Sequence, residues 1–368
     1  MSSGKFFWDW AFKRPENVVA IQHIKQYAAS RRVAAQESIR EILHLSNIPL
    51  SSFEDAVSKL RSHARVALHF HPDRPLADKK SVAQALLEQG TYKSQFETKI
   101  SNGSVSAYPG GARDLWEMKL LGGAYHLEGI ANSERPKYGA LDLMLHSDGP
   151  SPRFGSCYFL LASQASYRCT YTYGGSQDDP LEKGTYEEFD DILAAVLKDA
   201  FFLEYALGEK PRKVVDWLLF CLNLPITERI NQMPSRNLNH FIEAQIHGDI
   251  FLQDDVEILV ADPSFQGTDI EGTFEKLCLK YSIELHWHKG FVIRADKVPS
   301  DFRGSTMPSL AKRIAIDNLI DVRAVGTAVN DLKYNPDLWS DRGNLDGVLQ
   351  ELKYMWHVLV RFGESYPK

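Results

Sequence analysis

The chain has 368 residues, of which 44% are hydrophobic and 24% charged, and these proportions are ordinary for a folded globular protein. The formal net charge of −6 gives no overall support for non-specific nucleic-acid binding, so we expect no nucleic-acid partner. The four cysteines stand far apart without a CxxC pair, which excludes a zinc ribbon and a dithiol redox motif and does not indicate a disulfide framework.

The N-terminal segment MSSGKFFWDWAFKR does not have the pattern of a Sec secretion signal. Asp9 interrupts the apolar run at 6–8, and no small-residue cleavage site follows. No segment of the sequence reaches the roughly 18 apolar residues that a membrane-spanning helix needs. The sequence therefore predicts a cytoplasmic protein, as synthesised, with no membrane partner. Delivery into a host cell by a route that does not read a Sec signal stays open.

The first predicted elements are helices, followed by one strand. Apolar residues at helical spacing predict helix over 15–63, with a second helix beginning near Ser51. A short β-prone run at 65–71 predicts a strand, and 79–100 again has a helical pattern. The region 101–155 is punctuated by Gly, Pro and Ser, which predicts turns and loops.

The second half of the chain mixes strands and helices. The predicted strands are 155–161, 167–173, 242–250, 256–261 and a pair within 283–294 that is interrupted at Lys289. The predicted helices are 189–207, 214–223, 274–281 and the chain from 307 onward. We expect the strands at 242–250 and 256–261 to pair through a short polar turn. The whole pattern predicts an α+β core between two helical flanks.

The end of the predicted strand at 65–71 carries three ionisable residues. Alternation along an extended chain places His69, His71 and Asp73 on one side. Two imidazoles at a strand end can bind a divalent ion, so a metal-dependent hydrolase that uses this HxHxD segment is one alternative. The eight strand–helix units of the barrel that usually carries such a motif are not visible. The further ligands it would need are sought downstream, at His126, His247 and Asp262.

The predicted strand at 242–250 has one polar face. Glu243, Gln245 and His247 alternate there with apolar residues. One interpretation is an amphipathic strand whose polar face lies in water. The other is a catalytic face that presents a carboxylate.

Two aromatic–glycine pairs precede or follow predicted turns. Tyr138 is followed by Gly139, and Phe154 is followed by Gly155 and Ser156. An aromatic side chain beside glycine can stack on a planar ring, and a serine at a strand start can donate a hydrogen bond to it. Because buried aromatics more often belong to a core, each pair alone favours a structural role.

Taken together, these segments resemble ADP-ribosyltransferases close to the poly(ADP-ribose) polymerases, and more closely the CteC-like family. The resemblance covers about residues 60–325 and is carried by HFHPDR, GTYKSQFETKISNG, GGARDLWE, RPKYGALDL, PRFGS, EAQIHG and DVEILVADPSFQGT. The CteC-like family is a group of bacterial and microbial-eukaryote proteins long classed as a domain of unknown function. Its founding members are effectors that ADP-ribosylate a threonine of ubiquitin.

The resemblance implies a split antiparallel ADP-ribosyltransferase sheet, NAD+ as the donor substrate without a metal, and transfer of one ADP-ribose to a protein acceptor, with ubiquitin as a candidate. It implies Glu243 as the catalytic glutamate and makes Asp73 the candidate for the family's catalytic aspartate. The catalytic domain would span 64–304, between helical regions at 1–63 and 305–368. The residues expected to contact NAD+ are His71, Arg74, Tyr138, Gly139, Phe154, Gly155, Ser156 and Gln245.

Overall fold

The structure is a computed structural model that describes residues 14–99, 107–210, 228 and 233–366. The helices it describes are α1 (Pro15–Leu45), α2 (Leu50–His63), α3 (Val82–Gln89), α4 (Gln95–Thr98), α5 (Ala112–Leu120), α6 (Asp190–Lys198), α7 (Leu252–Asp255), α8 (Asp269–Tyr281), α9 (Met307–Ile314), α10 (Val322–Tyr334) and α11 (Leu345–Phe362). The strands are β1 (Arg65–Phe70), β2 (Lys137–Asp142), β3 (Cys157–Leu161), β4 (Cys169–Tyr173), β5 (Lys183–Thr185), β6 (Ile242–Ile246), β7 (Val256–Ala261), β8 (Glu284–Trp287), β9 (Val292–Arg294) and β10 (Leu319–Asp321). The predicted helix at 214–223 lies outside the described residues.

Eight of these strands form one sheet, in the order β5-β4-β6-β2-β1-β3-β7-β8. The pairings between the described strands are antiparallel, except that β8 lies parallel to β7. β9 and β10 form a separate antiparallel pair. Helices precede and follow this sheet along the chain, so the predicted α+β fold with helical N- and C-terminal segments is confirmed.

The two central strands, β1 and β2, pair along only part of their length. Ala67 pairs with Ala140, but in the described pairing no bridge joins 68–70 to 137–139. Over those residues β1 stays paired with β3, and β2 stays paired with β6. The sheet is therefore closed at one end of the β1–β2 pair and opens at the other.

The two faces of the sheet differ in chemistry because successive side chains along a strand point to opposite sides. One face carries apolar residues that belong to the main hydrophobic core, such as Val66, Leu68, Ala244 and Ile246. Glu243 alternates with these residues on β6 and so lies on the other face. The core beside the last residue of β1 includes α8, whose Phe274 meets Phe70 edge to face with ring centres 6.5 Å apart.

The N-terminal helix α1 packs on the outer edge of the sheet. Its buried residues recur at helical spacing, and α1 contacts α6, β4 and β5. Arg31 of α1 donates to the buried carboxylate of Asp191 on α6 at 2.8 Å.

The proposed division of the chain at residues 63 and 304 stays a prediction. Within the described ranges, no helix is both long and apolar enough to cross a lipid bilayer.

Several predicted elements are confirmed, and two predicted strand pairings are wrong. β6 lies between β4 and β2, whereas β7 lies between β3 and β8, so the two strands do not pair with each other. Gly248 has a left-handed φ of 83°, and the Asp255 carboxylate accepts a hydrogen bond from Phe251 N, so the chain forms the helical turn α7 instead of a hairpin. β8 and β9 also join different sheets, because the chain turns away at Gly290, where φ is 74°.

Other differences concern where elements begin and end. The predicted helix at 79–100 is divided, because Gly90 takes a left-handed φ of 67° and ends α3. Of the predicted helix at 189–207, the α-helical part ends at Lys198, and a π-helical turn follows it as far as Leu203. The region 101–155, predicted as turns, contains α5 and β2.

Candidate functional site

A cavity of about 540 Å³ opens where β1 and β2 separate. His69, Phe70 and His71 from the end of β1 line one side, and the residues 137–139 from the start of β2 line the other. The remaining walls come from the segment 74–78, α3 and the loop after it, α4, α5, the turn at 151–154, the turn after β4, Glu243 of β6 and one residue of α11. Small-molecule sites commonly have volumes of roughly 300–1,000 Å³, so the cavity has the size of a ligand site.

Glu243 contributes a buried carboxylate to this cavity. Its residue is 6% exposed, and it lies opposite Ala140 of β2 and Thr172 of β4, whose small side chains leave it room. Its Oε1 accepts hydrogen bonds from Ser176 N at 3.2 Å and Gln245 Nε2 at 3.0 Å. Burial raises the pKa of Glu243, while these donors and the charge of Arg113 oppose the rise. The carboxylate is thus held in a fixed position at the cavity wall.

Gln245 and His247 lie behind Glu243, in the interior. Gln245 Oε1 accepts from Thr170 Oγ1 at 2.8 Å, so the amide that supports Glu243 is fixed at both ends. His247 Nδ1 lies 2.7 Å from Tyr125 Oη, and His247 Nε2 lies 3.1 Å from Thr170 Oγ1. Burial lowers the pKa of His247 to about 3, so the ring is neutral. The polar face of β6 is therefore a buried hydrogen-bonded network, and the interpretation that it faces water is wrong.

Tyr138 forms part of the cavity wall and is held from behind. Its Oη donates to Glu117 Oε2 at 2.9 Å, and Arg135 Nη1 donates to Glu117 Oε1 at 2.9 Å. Arg135 also pairs with Asp114, so one guanidinium serves two buried carboxylates. Burial raises the pKa of Glu117 to about 7, although Arg135 opposes the rise. The ring of Tyr138 is fixed in its orientation by this network.

The cavity wall is richer in basic than in acidic side chains. The basic residues are Arg74, Lys93, Arg113, Lys137, Arg153 and Lys353. The acidic residues are Asp78, Glu97 and Glu243. A cleft with this balance of charge favours a ligand that carries negative charge.

The three residues of the HxHxD segment have separate partners. His69 Nδ1 donates to Gly155 O at 3.1 Å, its Nε2 accepts from Ser151 N at 3.3 Å, and burial lowers its pKa to about 3. His71 meets the edge of Trp356 with ring centres 5.2 Å apart.

Asp73 turns away from both histidines. Its carboxylate packs against α10 at Gly326, where an added Cβ atom would overlap it. It also lies 3.5 Å from Arg74 Nη1. Its predicted catalytic role stays a prediction, and the structure gives this side chain no place among the described residues that line the cavity.

The candidate metal ligands downstream are also dispersed. His126 Nε2 lies 2.9 Å from Asp114, His247 belongs to the network behind Glu243, and Asp262 Oδ2 lies 3.7 Å from His288 Nε2. Across residues 14–99, 107–210, 228 and 233–366, no three or more His, Cys, Asp or Glu side chains are arranged to hold a metal ion.

The predicted ligand-contacting residues separate into two groups. Those that line the cavity are His71, Arg74, Tyr138, Gly139, Phe154 and Glu243. Those that lie behind its wall are Gly155, Ser156, Gln245 and Asp73. Gly155 packs directly on the backbone of Phe70, and the carbonyl of Ser156 accepts from His288 Nε2 at 2.8 Å. These two residues shape the end of β1 without reaching the cavity.

The structure adds site residues that the sequence did not single out. Ser176, whose backbone N–H holds Glu243, follows β4 by three residues and had no local signal. Lys353 reaches the cavity from the C-terminal helix α11 and looks in the sequence like any lysine of an amphipathic helix. Arg113 and Arg153 stand inside two of the segments that carry the family resemblance, but the folded cavity alone shows that they share a wall.

The profile of a family described as "Protein of unknown function (DUF3626)" matches residues 65–362. The matched stretch begins with β1 and ends with α11, and it includes all the residues that line the cavity. A search of curated proteins finds no match to the chain. Since the profile covers most of its length, the chain belongs to the DUF3626 family of proteins of unknown function.

Proposed function

We propose that this protein is a mono-ADP-ribosyltransferase, which cleaves NAD+ in the cavity between β1 and β2 and transfers ADP-ribose to a protein side chain. The observation that carries the proposal is the buried carboxylate of Glu243, fixed at the wall of the cavity between β1 and β2. The resemblance of the sequence to the CteC-like family supports the donor and the type of reaction. The opening of the sheet between β1 and β2 supports the proposal, because the family resemblance implies a split sheet.

The proposed reaction passes through a cation-like state. The bond between ribose C1′ and the nicotinamide nitrogen breaks, the electron pair goes to nicotinamide, and positive charge develops on the ribose as in glycoside hydrolysis. Glu243 would bind a ribose hydroxyl and stabilise that charge. One such preorganised contact is worth about 3–4 kcal/mol of barrier lowering. The acceptor oxygen then bonds to C1′, and its proton passes to Glu243 or to water.

The cavity wall offers contacts that suit a dinucleotide. Aromatic rings of Tyr92, Trp116, Tyr138 and Phe154 line it, and planar bases stack on such rings. His71 Nδ1 and Arg153 Nε are buried without a hydrogen-bond partner in the described structure. A buried polar atom without a partner is costly, so a ligand that supplies one is favoured.

The acceptor and the second carboxylate depend on the resemblance alone. A protein acceptor, and ubiquitin in particular, follows from the similarity to the CteC-like family. The mechanism above uses Glu243 only, because the Asp73 carboxylate packs against Gly326 of α10. The described residues offer no ligand set for the metal-dependent hydrolase that the sequence also allowed.

The experiment is the intact mass of ubiquitin after incubation with this protein and NAD+. We expect a gain of one ADP-ribose with the wild-type protein and with Glu275→Gln, which changes an exposed glutamate on α8. The same gain should be absent with Glu243→Gln. Equal modification by the Glu243→Gln variant would remove Glu243 from the reaction. If nicotinamide is released while ubiquitin stays unmodified, ubiquitin is not the acceptor, and the ADP-ribose has passed to water or to another protein.

A further inference from the structure

Three elements distant in the sequence bring positive charge to one part of the cavity wall. Arg113 comes from α5, Arg153 from the turn before β3 and Lys353 from α11, and all three line the cavity. Arg303 lies close enough to Lys353 and Arg153 for its charge to lower the pKa of both. These side chains form a basic cluster that is partly shielded from water.

Among the described residues, the positive charges of the cluster act strongly on one another. The pKa of Lys353 is lowered to about 8, because burial and the charges of Arg153, Arg113 and Arg303 all oppose its ammonium form. The same kind of surroundings, burial with Arg303, Arg153 and Lys353, lowers the pKa of the neighbouring His357. The groups that oppose this repulsion are Asp178 and Tyr354, which act on Arg153, and Tyr138 and Glu243, which act on Arg113.

Two donors of the cluster are also left without partners. Arg153 Nε and Arg303 Nε are buried and make no hydrogen bond in the described structure. Arg153 Nη1 donates a hydrogen bond to Asn239 Oδ1 at 2.9 Å, and this bond fixes the position of the guanidinium group. Like charges gathered away from water destabilise a protein unless an anion joins them. A bound anion would reverse that cost.

We propose that Arg153 and Lys353, together with Arg113, form a subsite that binds the diphosphate group of the ligand. Guanidinium groups match the oxygens of a phosphate in two parallel hydrogen bonds, and a lysine adds a compact charge beside them. That the diphosphate belongs to NAD+ rests on the proposed function. That the cluster binds a diphosphate attached to an adenosine does not depend on any turnover.

The subsite is tested with ADP-ribose, which carries the diphosphate and lacks the nicotinamide bond that would be cleaved. Its affinity for the full-length protein is measured by titration calorimetry at pH 7. Lys353→Met should weaken binding by about tenfold to a hundredfold, the usual size of a lost charge-assisted hydrogen bond. Lys353→Arg should retain binding to within a few-fold. Lys312→Met, which removes an exposed lysine on α9, should bind like the wild type.

A second measurement needs no substitution. The diphosphate of ADP-ribose is fully ionised near pH 8, whereas burial and the neighbouring arginines lower the pKa of Lys353 to about 8. Affinity of the wild type should therefore be flat below pH 8 and fall above it, by no more than the loss seen in Lys353→Met. In Lys353→Arg the affinity should stay flat across that range, because arginine keeps its charge.

The outcomes separate the subsite from the proposed reaction. Absence of ADP-ribose binding by the wild type, or equal affinity in Lys353→Met, would overturn the subsite even if NAD+ is cleaved. Binding that depends on Lys353 would support the subsite even if no nicotinamide is released. In that case the proposed reaction fails while the diphosphate subsite stands.

Discussion

Gly139 allows β1 and β2 to approach closely just before they separate, and replacing it tests that geometry. A Cβ atom added at Gly139 would lie 2.5 Å from the carbonyl oxygen of Ala67, 3.0 Å from Val66 Cγ1 and 3.1 Å from Leu68 Cδ2. The nearest of these atoms is backbone, so the two strands must move apart instead of a side chain rotating away. Overpacking of this kind costs about 1–3 kcal/mol.

Part of that cost is offset in the unfolded state. Alanine restricts the unfolded chain more than glycine does, which contributes about 0.4–1 kcal/mol in favour of the variant. We therefore expect Gly139→Ala to lower the free energy of unfolding by about 1–2 kcal/mol. The measurement is equilibrium urea denaturation, with the slope unchanged and the midpoint shifted to lower urea.

The matched control is Gly272→Ala, one turn from the N-terminal end of α8. An added Cβ meets nothing within 4 Å there, so this variant should gain up to about 1 kcal/mol from helix propensity. The two variants make the same chemical change and have opposite expected effects on the free energy of unfolding. If Gly139→Ala is as stable as the wild type or more stable, the close approach of β1 to Gly139 is incorrect.

Three further variants test buried groups around the site by the same urea assay. Gly326→Ala should lose about 3 kcal/mol, because its Cβ overlaps the Asp73 carboxylate, and adding Asp73→Ala should restore part of the loss. Arg135→Met should cost about 3–5 kcal/mol because it removes the guanidinium that two buried carboxylates share; unchanged stability would show that this guanidinium is not paired with them in the folded protein. Burial raises the pKa of Asp262 to about 7, above its value in the unfolded chain. The folded protein therefore holds this proton more tightly, and the free energy of unfolding falls as the pH rises from 4 to 7. Asp262→Asn should remove up to about 4 kcal/mol of that fall, and an identical pH profile in the variant would contradict the raised pKa.

The fold class and most single elements can be predicted from the sequence. The continuous apolar run at 155–161 is β3, the aromatic run at 167–173 is β4, and the helical spacing over 15–63 gives α1 and α2. These patterns are local, because burial on one face or both sets the residue types along an element. β2 was missed because Gly139 and the surrounding turn residues hide its strand pattern.

Strand order could not be predicted in the same way. The prediction that β6 and β7 pair assumed that neighbours in the sequence are neighbours in the sheet. In the structure β2, β1 and β3 lie between them, and that order depends on pairings between segments far apart in the sequence, such as Ala67 with Ala140 and Ala140 with Glu243.

The same distinction between local sequence patterns and long-range contacts applies to the residues of the site. Glu243 could be identified from the sequence because its segment carries both an alternating polar face and the family resemblance. Asp73 could not be placed, since its position depends on Gly326, which is about 250 residues away in the chain. Lys353 could not be found at all, because nothing in α11 indicates that this one lysine faces a cavity between distant strands.

The release of nicotinamide from NAD+ tests the central claim most directly. The wild-type protein is compared with Glu243→Gln and with the control Glu275→Gln, in the presence of ubiquitin. We expect release by the wild type and the control, and a rate about a hundredfold to a thousandfold lower in Glu243→Gln, the size of effect for one preorganised electrostatic contact. No release by the wild-type protein, or the same rate in Glu243→Gln, would contradict the assignment of NAD+ cleavage to this cavity.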